Sequence, residues 1–357
     1  MKAFVLTDIP SPYQVELFNE IAAQKTLDLS VAYVRRSDPL RFWQPAHAQF
    51  DSCSIDEAFL QATQLAAKAD VAVFNYYNNQ LAARLIRWWA ETGKPWCFWG
   101  ERPGLRKPKF AGELFRKWKL KMLRRSQAPI WGVGEFALEQ YKHEFGLNRS
   151  YKNVPYYSDL DRFASVARKR DSAGRVFLFC GALSVRKGVD LVARAFVRLV
   201  NEVPEVRLRI VGDGDLRERL QRMVQPVRER VEFTGFVPWD RLPVVYSDAD
   251  VLCVPSRYDG WGLVVPEGLA SGLPVIASDR MGAALDLIRS GVNGWLTPAD
   301  DDEAVFRAMR EAATLSNEQL SQFSIAAQET IENHSLRRGA KRFAAYACEA
   351  VESWDWD

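Results

Sequence analysis

Short apolar runs alternate with longer stretches in which apolar positions recur three and four residues apart. Residues 3–6, 29–34, 71–75 and 95–99 are runs of strand length, bounded by polar or turn residues. Such continuous apolar runs suit strands buried on both faces. Val15, Phe18, Ile21 and Ala22 share one face of a predicted helix over 15–25, and helical patterns follow at 55–67 and 79–92. The alternation predicts a parallel sheet with helices on both faces. Tyr76, Tyr77, Asn78, Gly100 and Glu101 would line its carboxyl edge. A strand at 130–134 and a helix at 135–145 follow.

The pattern then restarts. Between the two runs lies ASVARKRDSAG, whose small and charged residues read as a linker. A boundary at 165–172 gives a first domain of residues 1–168 and a second of 169–335. Strands are predicted at 175–180, 206–211, 231–234, 251–255 and 274–278, with helices at 216–224 and 303–314. Phe343, Tyr346, Ala347 and Ala350 mark a final helix over 335–353.

At 357 residues, nearly half of them hydrophobic and about a quarter charged, the chain has the composition of a globular protein of two domains. The five cysteines are odd in number and scattered, with Cys180 and Cys253 inside predicted strands. That favours reduced thiols and a cytoplasmic setting over a disulfide framework. The N-terminal apolar run is too short for a signal peptide, and no run is long enough to span a bilayer. His47, His143 and His334 lack metal-ligand spacing and read as ordinary surface residues. No metal site is expected at Gly212-Asp213-Gly214-Asp215 either, where the glycines suffice for a strand-to-helix turn.

Charge changes the picture at one place. From Arg106 to Arg125 the chain carries nine basic residues and one acid, a net +8, so the rest of a +3 chain totals −5. Phe110, Leu114, Trp118 and Met122 recur every fourth residue, with Phe115 and Leu123 beside them. A basic amphipathic helix of this kind suits an anionic membrane surface, and a stripe packed on the first sheet with solvated charges fits the same pattern; no nucleic-acid motif accompanies it.

The densest candidate chemistry lies in residues 250–286. A strand, a loop and a helix with Pro266 at its first position and Gly272 as its stop precede the next strand. The loop therefore lies at the carboxyl edge of a parallel sheet, where α/β proteins bind ligands. Asp259 and Glu267 have seven residues between them. Gly260 and Gly262 allow close approach of backbone to an anion, and the helix N-terminus favours a phosphate. Acceptor-only carboxylates beside a phosphate site suit a hydroxyl-rich ligand such as a sugar. A surface loop with an acidic first helical turn fits the same spacing.

The segment PSRYDGWGLVVPEGLASGLPVIASD resembles the donor-binding signature of retaining glycosyltransferase family 4, of GT-B fold. The resemblance covers most of the second domain and the general layout of the first. It implies two Rossmann-like, doubly wound parallel-sheet domains facing across a cleft, with the final helix, 336–357, crossing back to an acceptor-binding first domain. Glu267 would hold the ribose and Asp259, where the family usually has Glu, the donor sugar. Gly260, Trp261, Gly262, Leu263 and Val264 would hold phosphate and sugar. In GALSVRKG the resemblance puts Gly181 and Lys187 at the diphosphate. Ala182 stands where the family commonly has an arginine, and Arg186 is the nearest substitute. Gly235 and Val237 would lie against the base. No histidine follows the fourth strand of the first domain; Glu101 is the polar residue there, positioned to orient an acceptor hydroxyl or to pair with Arg102.

The implied activity is transfer of a sugar from a nucleotide-diphosphate sugar to a glycan or lipid-linked acceptor, with retention of configuration. No cofactor or metal is required, and no nucleic acid is involved. A place in cell-envelope glycan synthesis, peripheral on the inner face of the cytoplasmic membrane, follows from the basic helix. A GT-B-fold epimerase or phosphorylase and a non-catalytic nucleotide-sugar-binding module remain open alternatives.

Overall fold

A computed structural model describes residues 1–37, 47–103, 109–166 and 174–354. The chain divides into two compact units, Met1–Asp159 with Ser335–Asp357, and Leu160–His334.

The first unit holds seven parallel strands: β1 (Lys2–Thr7), β2 (Asp28–Tyr33), β3 (Asp51–Ser54), β4 (Val71–Phe74), β5 (Trp96–Gly100), β6 (Ile130–Gly132) and β7 (Tyr151–Asn153). Their order is β3-β2-β1-β4-β5-β6-β7. The predicted central strands are present because their apolar runs are buried on both faces, β1 having Ala3 to Leu6 fully inaccessible. The two edge strands, β3 and β7, have no counterpart in the sequence reading. Asp-Ser-Cys-Ser and Tyr-Lys-Asn are polar and half-exposed, and they become strands only by pairing with β2 and β6. The C-terminal helix, Leu336–Glu352, belongs to this unit. It starts at Ser335, whose side chain accepts from the Arg338 N–H, and its Phe343 packs edge-on against Phe18, Trp99 and Trp131.

The basic segment is two helices, Lys109–Lys119 and Lys121–Arg125, instead of one. Leu120 leaves helical geometry (φ −95°, ψ 30°). Leu120 and Leu123 are buried, whereas Leu114, Phe115 and Trp118 remain 63%, 51% and 65% exposed. The expected unbroken stripe is thus interrupted, and its first half faces outward. Residues 106–108 and the side chain of Phe110 lie outside the described residues.

The second unit holds β8 (Val176–Cys180), β9 (Arg207–Val211), β10 (Val231–Gly235), β11 (Val251–Val254), β12 (Val275–Ser278) and β13 (Gly294–Thr297), all parallel and in the order β10-β9-β8-β11-β12-β13. Strand order reverses between β8 and β11, so the loops after these two strands flank the crevice where such sheets bind ligands. Residues 160–166, placed by the sequence reading in the first domain, fall in this unit. The Phe163 ring lies 5.3 Å from that of Tyr246, and the Arg162 guanidinium lies 3.4 Å over Trp239. The linker stretch 167–173 is outside the described residues.

Candidate active site at the switch point of the second sheet

The loop after β8 is a short turn, Val185–Lys187, closed by Gly188 in left-handed geometry (φ +72°). A Cβ on Gly188 would lie 2.1 Å from the Pro255 carbonyl oxygen, so only glycine lets this turn seat against the end of β11. The two loops are joined further by backbone, the Arg257 N–H donating to the Arg186 carbonyl at 2.8 Å. Lys187 and Asp259, seventy-two residues apart, meet as a result: Lys187 Nζ donates to Asp259 Oδ2 at 2.5 Å. Arg186 reaches the same carboxylate only loosely, at 3.9 Å, and donates to the Tyr258 carbonyl at 3.1 Å. Half-exposed, Arg186 lies at the rim of the pair.

Beyond Asp259 the chain is tightly placed. The Asp259 N–H donates to the Arg280 carbonyl at 3.0 Å. Gly262 has φ +91°, and a Cβ there would meet Met281 Cε at 2.6 Å. The helix that follows is Val264–Ala270, so Pro266 is its third residue, not its first. A proline is tolerated there because first-turn N–H groups have no intrahelical acceptor. Gly272 (φ +70°) ends the turn as expected.

Glu267 is buried in the first turn of that helix and accepts from the Tyr246 hydroxyl at 3.2 Å. Tyr246 is wholly inaccessible. Burial foremost, then the neighbouring Cys180 and Glu267, holds its hydroxyl protonated far above the usual range. Burial, with Glu267 adding to it, pushes the Cys180 thiol up to about 12. Glu267 thus accepts from a neutral tyrosine hydroxyl, and the neutral Cys180 thiol lies close to both.

Gly181 and Ala182 open the loop after β8, which is locked to the loop after β9. The Leu183 N–H donates to the Asp213 carbonyl, and a Cβ on Gly212 would lie 1.9 Å from the Gly181 carbonyl. Gly235 (φ +78°) ends β10 and the half-buried Val237 follows it, on the far side of β9 from β8. Asp213 bonds its neighbour's N–H, and no group of three His, Cys, Asp or Glu side chains able to hold a metal occurs among the described residues.

Two residues near the loop escaped the sequence reading. His334 is not a surface residue: it is buried and stacks on Trp261, rings 5.7 Å apart and 22° from parallel. Trp261 Nε1 is itself buried without a hydrogen-bond partner. The other is Arg257, which donates to Asp190, Asp300 and the Val185 carbonyl. Its partners are distant in sequence, and no spacing rule finds them.

In the first unit, strand order reverses at β1 and β4. Thr7 and Gln14 both donate to Asn75 Oδ1, and Asn75 donates to the Trp99 carbonyl. Tyr156 packs on Tyr13 at 4.8 Å, and its hydroxyl bonds Asn75 and Glu101. Burial and the Glu101 charge raise that hydroxyl well above its ordinary range. The Arg102 guanidinium lies over the Phe136 ring at 3.3 Å.

Residues 174–314 match the model of the family described as glycosyl transferases group 1. The chain is 34% identical over 194 residues to the GDP-mannose-dependent alpha-(1-6)-phosphatidylinositol monomannoside mannosyltransferase of Mycolicibacterium smegmatis, covering 50% of each chain. It is 30% identical over 231 residues to the phosphatidyl-myo-inositol mannosyltransferase of Mycobacterium tuberculosis, covering 63% of this chain and 56% of that one. The chain thus spans about half the length of these curated relatives. Among solved structures, Anabaena Alr3699/HepE in complex with UDP superposes with a TM-score of 0.77 at 17% identity, over 98% of this chain and 100% of that one. The fold is GT-B: two Rossmann-like parallel-sheet units.

Proposed function

With residues 174–314 belonging to the group 1 glycosyltransferases, we propose that the chain moves a sugar from a nucleotide-diphosphate sugar to a hydroxyl of a glycan or lipid-linked acceptor. The observation that carries this reading is the meeting of Lys187 and Asp259 at the switch point of the second sheet, with Glu267 buried in the first turn of the helix that follows the loop. A cation here stabilises charge that develops on the diphosphate as the glycosidic bond breaks. Arg186, at the rim, adds a second cation. Glu267, oriented by Tyr246, accepts from ribose hydroxyls, and Asp259 accepts from Lys187 and from sugar hydroxyls. The amides of Gly260 to Val264 face the phosphate and the sugar, and Gly181, Gly235 and Val237 flank the nucleotide.

The C1–O bond to the leaving diphosphate breaks as the acceptor oxygen bonds C1 from the same face. The acceptor proton passes to the leaving phosphate oxygen, which conserves configuration. Glu101, held by Tyr156, orients an acceptor hydroxyl in the first unit. Mannosyltransferases named for phosphatidylinositol acceptors among the relatives support a lipid-borne acceptor. So does the exposed patch of Leu114, Phe115 and Trp118, over whose rings Lys119 lies at 5.6 and 5.2 Å. Apolar rings ringed by cations suit the headgroup region of an anionic membrane. A position at the inner face of the cytoplasmic membrane, the leaflet that carries the anionic lipids, fits this reading.

The test is transfer from radiolabelled UDP-, GDP- and ADP-sugars to membrane lipid extracts. Turnover should fall by about a hundredfold or more in Lys187→Ala and Glu267→Ala. Proton NMR of the product should show the donor's anomer. Binding of a nucleotide sugar with no transfer to any acceptor would support the binding-module alternative instead.

A further inference from the structure

Arg257 lies next to the site and has no part in the mechanism above, yet most of its donors are committed. Nη1 donates to the Val185 carbonyl at 2.6 Å and to Asp190 Oδ1 at 2.7 Å. Nη2 donates to Asp190 Oδ2 at 2.8 Å, and Nε to Asp300 Oδ1 at 2.6 Å. Four of the five guanidinium N–H groups are thereby used, and the backbone N–H takes the Arg186 carbonyl. Consecutive carbonyls of the turn that presents Lys187 are thus both held by one residue.

The anchor of this residue is itself fixed. Asp190 is 6% exposed and accepts also from Arg194, which donates to Asp302 at 2.6 Å. Burial acts against the charged form of Asp190, but the Arg257 hydrogen bonds and the Arg257 and Arg194 charges outweigh it and keep the carboxyl below the usual range. Asp300 sits in left-handed backbone geometry (φ +67°), which aspartate adopts more readily than most residues. Three loops converge on one fork: those after β8, β11 and β13.

We propose that Arg257 is a positioning residue for the diphosphate site, holding the Val185–Lys187 turn so that the Lys187 ammonium points at the bound phosphates. This rests on the reading of Lys187 as the phosphate-binding cation. A lysine at 257 does not replace it, because three donors on one nitrogen cannot span two sides of a carboxylate, a carbonyl and a second carboxylate.

The test is calorimetric titration of the full chain with UDP, GDP and ADP, using whichever binds most tightly. Lys187→Gln should weaken binding about tenfold, and Arg257→Gln or Arg257→Lys about fivefold. In the Lys187→Gln background, Arg257→Gln should weaken binding by less than about twofold, since a residue acting through Lys187 has nothing left to position. A full fivefold loss in that background, or wild-type affinity in Arg257→Gln, overturns the proposal while leaving the donor-site reading intact. Should no nucleotide bind the wild-type chain, the donor-site reading falls and this proposal with it. Circular dichroism checks folding. If Arg257→Gln does not fold, Asp300→Ala decides, since Asp300 is 66% exposed and releases only Nε. A twofold to threefold loss, about half the effect of the fork, supports the role; unchanged affinity overturns it.

Discussion

Gly188 bears on the site as directly as the side chains around it. Its φ is +72°, and the space for a Cβ is filled by the Pro255 carbonyl oxygen at 2.1 Å. Gly188→Ala must therefore move the Lys187 turn off β11, and a cost of about 3 kcal/mol is expected. Gly291 has a similar φ of +78° with nothing within 4 Å of the Cβ position. Gly291→Ala should cost only the left-handed penalty of about 1 kcal/mol. Thermal melting separates the two, and equal shifts would remove the close approach as the cause. Asp190 supplies a pH dependence. Its folded pKa is lowered, so its contribution is complete above the ordinary aspartate value and is lost as pH falls through the folded value. The melting temperature of Asp190→Asn should lie well below wild type at neutral pH, and the gap should close in acid. A gap that stays constant through acid pH would mean the carboxylate charge is not what stabilises the turn. Asp259 and Glu267 were legible as two acids on a glycine-bearing strand-to-helix turn, and Lys187 through the family resemblance of GALSVRKG. Arg257, Tyr246 and His334 were not, because their roles arise from contacts to Asp190, Glu267 and Trp261 across 67, 21 and 73 positions, where no periodicity operates.

The central strands, buried between helices, were read from sequence, whereas of the edge strands only β10, predicted at 231–234, was, and β3, β7 and β13 were not. β4 and β11 are four-residue apolar runs with every residue buried, whereas β3 and β7 carry no apolar pattern and exist as edge partners. The basic segment shows the same limit within a helix. Four-residue spacing placed Leu114 and Trp118 with Met122 on one stripe, but the break at Leu120 turns Leu123 inward and leaves the first half exposed. These halves should respond differently to substitution. Leu114→Ser with Trp118→Ser removes exposed surface, so stability should change by no more than about 0.5 kcal/mol. Flotation with vesicles rich in anionic lipid should nonetheless fall. Leu123→Ala, at a site 1% exposed, should cost about 3 kcal/mol and leave vesicle binding by the folded protein unchanged. Undiminished flotation of the double serine variant would end the membrane reading of this patch.

At the scale of the whole molecule the two units are unequal in their dependence on chain continuity. The second unit, Leu160–His334, is one unbroken segment containing its whole sheet, the Lys187–Asp259 pair, and the Trp261–His334 stack. The first needs residues 335–357 to be complete. Phe343 is fully buried there, with ring centroids 6.3, 5.6 and 5.1 Å from those of Phe18, Trp99 and Trp131. Gly339 makes the approach possible, since a Cβ there would lie 2.4 Å from the Tyr157 ring. Without the helix, three large aromatic side chains would face water, and burial of each such ring is worth about 2–3 kcal/mol. A fragment of residues 1–159 should therefore lack a cooperative thermal transition, whereas residues 160–334 should melt cooperatively and bind nucleotide as the full chain does. Adding a peptide of residues 335–357 should restore the transition to the first fragment. In the full chain, Phe343→Ala should destabilise the first unit by about 3–5 kcal/mol and leave nucleotide affinity unchanged. A cooperative transition from residues 1–159 alone would show that the C-terminal helix covers a core already complete without it.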